Sequence, residues 1–392
     1  MKRTSSRQIT AFYALIQALY WITYGLMFNY AAVYLQSRGF SSGGIGLVLG
    51  ASYLLSALGQ PLFARLVSRR GLRLNVAAAG VYLLMAALSA LILLLPLKGA
   101  VLAVIIVAAF TLQSAMQPSI NSLHWGFELS GTHVNFGLAR GVGSAGFALS
   151  SLLMGQILRR AAPDILPACY LAGQILLALC LTALRAPDYA HSGQSKRGGS
   201  YRDILAAHPK FALFLGGVAC MSMAHIFIDN FMLQIMQSLG GGSANLGVAI
   251  GIAGMTELPA MVLYSRLSRR MDGFRLLRIA AWIWLAKDVL TLLATSPSLV
   301  YVSEALQFFS YAIYVPAVVD YIARALPAGD FLGGQALHGS FWTLGSLAAT
   351  FLGGHLIDGL GVRGALGIAQ LFALGGAVLI SLSTARRVQA QQ

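Results

Sequence analysis

Long apolar stretches alternate with short polar ones along the whole chain, and this alternation is what the sequence specifies first. The apolar runs cover residues 10–36, 44–64, 75–96, 99–122, 135–158, 165–185, 209–238, 244–265, 275–296, 298–323, 334–358 and 362–385, each able to cross a bilayer as a helix. The pattern predicts an all-α membrane protein with twelve transmembrane helices. Six runs lie on each side of a polar stretch, residues 186–208, whose HSGQSKRGGS segment is too rich in Gly, Ser and charge to fill an interior and reads as a flexible linker. The expected organisation is an N-terminal six-helix bundle over 1–185, a cytoplasmic linker over 186–208 and a C-terminal six-helix bundle over 209–392.

A basic loop occurs twice. QPLFARLVSRRGLRL, residues 60–74, and SRLSRRMDGFRLL, residues 265–277, share Arg-Leu, then an Arg-Arg pair, then Gly, an apolar residue, Arg and Leu. Their separation, about 200 residues, is close to half the chain, which points to two homologous membrane halves with equivalent loops. Arg69, Arg70, Gly71 and Arg73 of the first copy and Arg269 and Arg270 of the second are therefore candidate cytoplasmic gate residues.

Composition agrees with a membrane solvent. Hydrophobic residues make up 57% and charged residues 10% of the 392, against roughly a quarter charged in a soluble domain. The first apolar run is too long for a signal peptide, so the N-terminal segment is expected to be retained. Cys169, Cys180 and Cys220 lie in or beside apolar runs without metal-ligand spacing and read as packing residues. No metal and no cofactor is expected.

The net charge of +15 could suggest nucleic acid, but its placement explains it otherwise. With the N-terminus inside, the inner segments carry Lys2, Arg3, Arg7, the two Arg-rich loops, Arg185, Lys196, Arg197, Arg202, Lys210, Arg324, Arg386 and Arg387. The outer segments hold only Arg38, Lys98, Arg159, Arg160 and Arg363. Such a bias is the positive-inside rule; it places both termini in the cytoplasm and removes the need for a nucleic-acid partner.

Polar residues inside the runs carry the functional information, because a polar group facing hydrocarbon is costly. Tyr13, Gln17, Tyr20 and Tyr24 share one face of the first run, and Ser52, Ser56 and Gln60 one face of the second. Gln113, Gln117, Asn121, His124 and Glu128 form a stripe on the fourth, and Arg140, Ser144, Phe147 and Ser151 on the fifth. Such stripes line a water-filled cavity or join helices by hydrogen bonds; taken as a set they favour the cavity. The second half holds intramembrane charges: His225 and Asp229 at i and i+4, Glu257 before Pro259, Lys287 beside Asp288, Glu304 with Gln307, Tyr311 and Tyr314, and His338 with Trp342. Titratable groups in such places can take up and release protons. Asp320 with Arg324 reads as a structural pair.

Twelve spans, a central linker and the doubled loop resemble the major facilitator superfamily, whose loop signature carries an Asp where Ser68 stands here. QPLF before that loop and VNFGLARGVGSAGFALSS at residues 134–151 resemble the lactose permease branch of oligosaccharide:proton symporters and the related aromatic-acid permeases. The resemblance implies that Arg140 takes the place of a sugar-binding arginine, Phe147 of a stacking tryptophan, Glu257 of a glutamate between sugar and proton sites, Lys287 of an arginine and Asp229 of an aspartate. The branch's span 4 sugar-binding glutamate falls near Ser122, with Asn121 and Glu128 nearby, and its span 10 proton-site histidine and glutamate correspond to Gln307 and Ser310.

The resulting expectation is an inner-membrane secondary transporter, a monomer, moving a sugar or glycoside by alternating access with protons; an aromatic or other organic acid, or efflux of a drug or metabolite, is the alternative. No enzyme motif such as HExxH or a Walker loop occurs. Candidate substrate-binding residues are Arg140, Phe147, Asn121, Gln117, Tyr24, Gln17, Gln307, Tyr311 and Trp342; candidate proton-coupling residues are Glu257 first, then Asp229, with His225, Lys287 and Asp288. The topology has a direct test. A cysteine placed at Arg70 should stay unlabelled by an impermeant thiol reagent added outside intact cells and become labelled in inside-out vesicles; the reverse pattern inverts the orientation.

Overall fold

The computed structural model describes residues 6–184, 201–327 and 330–385, and all described secondary structure is helical. Lys2, Arg3, Arg185, Lys196, Arg197, Arg386 and Arg387, with residues 186–200 of the expected linker, lie outside the described residues. Among the described residues fifteen α-helices and one 3-10 turn follow one another.

The first six apolar runs become seven helices. α1 (Ser6–Phe28) and α2 (Ala31–Ser37) form the first run, followed by α3 (Ser42–Arg70), α4 (Leu74–Leu94), α5 (Gly99–Leu129), α6 (Phe136–Ile157) and α7 (Ile165–Ala183). Local signals set several ends. Asn135 caps α6, its side-chain oxygen accepting from the Leu138 amide at 2.9 Å. Gly71, at φ +58°, ends α3 in the left-handed conformation, directly after Arg69 and Arg70 in the last turn, where cations favour the helix C-terminus.

The end of the stretch expected as linker is ordered as α8 (Tyr201–Ala207), anchored by buried Ile204. Then come α9 (Pro209–Asn230), α10 (Met232–Ser238), α11 (Ser243–Leu267), α12 (Gly273–Leu292), α13 (Pro297–Ala305), a 3-10 turn η1 (Leu306–Phe308), α14 (Tyr311–Ala325) and α15 (Phe331–Thr384). α15 contains both last runs and breaks only at Gly361, whose φ of 71° no other residue type adopts at comparable ease. Among the described residues nine helices are long and apolar enough to span a membrane, α15 being one of them. Counting the two arms of α15 separately and adding the more polar α11 and α12, the fold fits twelve passes.

Two compact units result. One gathers α1–α7 with the segment Gly242–Gly254, so the first half of α11 clusters with the N-terminal helices. Its approach to α6 is backbone-close: a Cβ on Gly247 would lie 2.7 Å from the Ser151 carbonyl. Within this unit α1 lies along α6, α4 along α7 and α3 along α5. The other unit takes α8–α10 and the chain from Met255 on, with α9 along α15 and α12 against α14 and α15. Its core is aromatic, with Phe211, Phe214, Trp284, Tyr314 and Tyr321 all buried.

Helices in lipid gain little from hydrophobic association and pack through small residues instead. Gly345 of α15 faces α9 so closely that a Cβ there would collide with Ser222 Oγ and the Ala219 carbonyl. Gly345→Val should therefore lower stability by about 1–3 kcal/mol through overpacking, read as a drop in the thermal unfolding midpoint of purified protein. Gly339→Ala, on the same helix with open space around it, is the control and should unfold at the wild-type temperature.

Candidate functional site

Each unit holds one polar centre. In the N-terminal unit it is built by two facing strips, Gln17, Trp21 and Gly25 on α1 with Asn29 just past its end, and Arg140, Ser144, Phe147 and Ser151 on α6, both at near four-residue steps that keep them on one helix face. The helices can approach because Gly143 lies under Trp21: a Cβ at Gly143 would sit 2.6 Å from Trp21 Cδ1. The Arg140 guanidinium lies over the Trp21 ring at 4.0 Å from its centroid and donates from Nη1 to Ser144 Oγ at 2.6 Å. Trp21 is held in turn by its Nε1, which donates to Gln17 Oε1 at 3.2 Å. Gln17 donates to Tyr13 OH at 2.7 Å and to Asn121 Oδ1 at 3.1 Å. Tyr13 closes the chain on the carbonyls of Ile120 and Asn121, both at 3.1 Å. Phe147 stands edge-on to Trp21 at 6.2 Å and packs against Gly25. Gln17 and Tyr13 are fully buried, whereas Arg140, Trp21, Tyr24, Phe147 and Asn121 keep part of their surface accessible.

The order of support matters chemically. A guanidinium on an indole face, with one fork already on a hydroxyl, is fixed in plane and reachable. It can donate in a bidentate manner to adjacent hydroxyls or to a carboxylate, while Trp21 and Phe147 offer apolar surface beside it.

The C-terminal unit centres on an ion pair. Lys287 Nζ lies 3.1 Å from Glu304 Oε2, with side-chain exposures of 0% and 3%, and donates to Gln307 Oε1 at 2.7 Å. Ser303 Oγ donates to the Lys287 carbonyl at 2.7 Å and stands 2.6 Å from Thr291 Oγ1, fastening α13 to α12. Asp288, next in the chain, is also fully buried. On α9, His225 Nε2 lies 3.4 Å from Asp229 Oδ2, the latter side chain 45% exposed. Rings from four helices converge beside it: His225 stacks on Tyr311 at 4.9 Å, Trp284 meets both at 4.9 and 5.5 Å, and Trp342 lies 5.9 Å from Tyr311. Tyr314 OH and His338 Nε2 stand 3.1 Å apart. Among the described residues no group of three or more His, Cys, Asp or Glu is placed to hold a metal ion.

Residues 11–365 match the MFS_1 like family. The chain belongs to that family, within the major facilitator superfamily. It is 28% identical to the maltose permease of Geobacillus stearothermophilus, over 97% of this chain and 96% of that protein. It is 25% identical to a probable 3-phenylpropionic acid transporter of Escherichia coli (strain K12), over 94% of this chain and 96% of that protein. A mutant of the nucleoside transporter NupG has the same fold, with a TM-score of 0.81 at 12% identity, covering 96% of this chain and 98% of that one. The chain is thus a multi-pass membrane transporter and not an enzyme.

In this transporter the residues named from sequence fall into three sets. Arg140, Phe147, Gln17 and Asn121 meet in the first centre, with Tyr24 5.4 Å from Trp21 and stacked on Phe28 at 4.4 Å; Gln117 is half-buried on the α5 stripe and takes no part in this chain of bonds. Lys287 and Gln307 share the second centre, and His225, Asp229, Tyr311 and Trp342 adjoin one another. Glu257 is half-buried on α11 and engaged with a neighbour of its own. Gln113, from the α5 stripe, instead joins helices, donating to Thr23 Oγ1 and accepting from Tyr170 OH, both at 3.4 Å. In the loops, Arg69, Arg70, Arg73, Arg269 and Arg270 are exposed, and the Ser68 side chain lies outside the described residues. Near the second loop Arg324 pairs with Asp320 at 3.0 Å and Asp272 at 3.6 Å.

Two partnerships, of Trp21 with Arg140 and of Glu304 with Lys287, were not read from the sequence. Trp21 could have been found, since it lies four residues after Gln17 on the same face. Glu304 as the partner of Lys287 could not, because the two are brought together by the packing of separate helices. Removing one member of such a pair leaves a buried charge unpaired, which costs about 3–5 kcal/mol. Lys287→Met should accordingly unfold at a markedly lower temperature than the wild type, and adding Glu304→Leu should recover most of the loss. A double variant no more stable than Lys287→Met would mean that the ion pair is not what holds α13 to α12.

Proposed function

We propose that this protein is a proton-coupled transporter of a small hydroxylated solute, a sugar or glycoside, working as a monomer in the inner membrane with both termini cytoplasmic. The observation that carries the reading is the Arg140–Trp21–Gln17 arrangement. A planar donor fixed on an aromatic face, beside a glutamine amide and a second aromatic ring, matches a sugar's alternation of hydroxyl edges and apolar ring faces. The likeness to a maltose permease over nearly the whole chain supports it. Candidate substrate contacts within the N-terminal unit are then Arg140, Phe147, Asn121, Gln117, Tyr24 and Gln17, and within the C-terminal unit Gln307, Tyr311 and Trp342. The carboxylates of the second unit carry the coupling proton, and the two Arg-rich loops form the cytoplasmic gate.

A second reading, an aromatic carboxylate bound by Arg140, is favoured by the likeness to the probable 3-phenylpropionic acid transporter. A thermal-shift panel of maltose, other glycosides and aromatic acids separates the two. A ligand at 100 times its dissociation constant stabilises by about 2.7 kcal/mol if it binds only the folded state. Maltose or another glycoside should give this shift and 3-phenylpropionate should not; the opposite result moves the protein to the acid class. Arg140→Lys keeps the charge and loses the planar fork, so it should weaken binding of the stabilising glycoside roughly 10-fold or more, the worth of about one charge-assisted hydrogen bond. Unchanged affinity in that variant removes Arg140 from the binding site.

A further inference from the structure

Asp288 stands out among the acidic residues of the membrane interior. It is 0% exposed, and neither carboxyl oxygen has a hydrogen-bond partner among the described residues. Its neighbour in the chain, Lys287, is committed to Glu304 and Gln307. The charged and titratable groups around it are Lys287 on its own helix, Glu304 from α13, and Asp229 with its partner His225 from α9. The Lys287–Glu304 pair is neutral as a unit. An ionised Asp288 beside it would be a second buried anion with no donor and no cation left over, the arrangement that proteins avoid most strictly.

We propose that Asp288 is the proton site of this transporter: a carboxylic acid buried beside a closed Lys287–Glu304 pair, carrying the proton that is exchanged during the cycle. The inference rests on the proton-coupled reading above and names the residue for it. Glu304 is paired with Lys287, and Asp229 is part-exposed and has His225. Glu257 is half-buried on α11, whereas Asp288 is fully buried. On release the Asp288 O–H bond breaks and the proton leaves through the exposed Asp229 carboxylate to water, with no electron transferred. Lys287, whose charge also acts on Asp288, offsets part of the new charge while it keeps its pair with Glu304.

The infrared carbonyl stretch of a protonated carboxyl group, which is distinct from that of a carboxylate and moves in D2O, reads this site without any cargo. Wild-type protein in lipid should show the band at neutral pH, Asp229→Asn should keep it and Asp288→Asn should lose it. A band that persists in Asp288→Asn overturns the proposal. Should that variant fold poorly, Asp288→Glu must shift the band, and an unshifted band overturns it equally. In proteoliposomes Asp288→Asn should exchange labelled for unlabelled maltose at the wild-type rate yet lose accumulation driven by a pH gradient, its inside and outside concentrations becoming equal. Accumulation retained in Asp288→Asn, or driven in the wild type by sodium and not by protons, sinks the assignment. If wild type neither exchanges nor accumulates maltose while the infrared result holds, the sugar reading falls and the proton site stands.

Discussion

Lys287 and Glu304 meet at 3.1 Å in a place that water does not reach, and the local architecture of the C-terminal unit depends on that contact. Charges in a low-dielectric interior persist only when paired and hydrogen-bonded. The pair therefore dictates where α12 and α13 must lie, and the bonds from Ser303 to the Lys287 carbonyl and between Ser303 and Thr291 follow the same seam. It also accounts for the interruption of the tenth span. Gln307, which accepts from Lys287, lies in a 3-10 turn between α13 and α14, where the backbone leaves the α-helical path. Such a break is tolerated within a membrane only where protein covers it, and Ser310 at its far end is fully buried.

The N-terminal unit solves the same problem with different chemistry. Its intramembrane cation, Arg140, is laid on an indole and a hydroxyl. A cation laid on a π face has its guanidinium plane fixed against the ring. Fully buried Tyr13 and Gln17 carry the support from α5 to Trp21 and hold the platform rigid, which is the property a binding residue needs from its neighbours. One unit is thus built around a reachable cation and the other around a sealed ion pair. Small, directional hydroxyl recognition suits the first, and storage of charge suits the second.

Much of this was legible in the sequence because membrane segments repeat one simple requirement. Each apolar run has a helical counterpart, since only length and hydrophobicity decide whether a segment spans. The breaks were less legible. Runs 10–36, 209–238 and 298–323 are interrupted near Asn29, Phe231 and Leu306 without any proline at those points, whereas Pro61, Pro118, Pro259 and Pro316 lie inside continuous helices. The last two runs meet as expected at a kink, which the left-handed Gly361 makes. At the sites, stripes on one helix were readable from four-residue steps, as with Arg140, Ser144 and Phe147. Pairing across helices was not, and so Gln113 turned out to join helices while Glu304 gained a partner.

That last pairing explains how the chain departs from the branch it resembles without losing its charge balance. In the lactose permease branch the resemblance places a histidine and a glutamate where Gln307 and Ser310 stand here. A cation at Lys287 with only neutral groups opposite would be an unpaired buried charge, which a folded helix bundle does not sustain. Glu304, earlier on the same span, supplies the anion, but a straight helix would carry residues 304 and 307 about 300° around its axis, a short step back on the same face and one turn apart in height. The 3-10 turn at η1, with three residues per turn, brings side chains three positions apart into line and lets Glu304 and Gln307 both reach one ammonium, at 3.1 and 2.7 Å. Moving the carboxylate and breaking the helix are, on this view, one adaptation. Because the anion in this span is engaged in holding Lys287, the proton-coupled cycle proposed above calls on another acid, and Asp288 is fully buried with neither carboxyl oxygen hydrogen-bonded among the described residues.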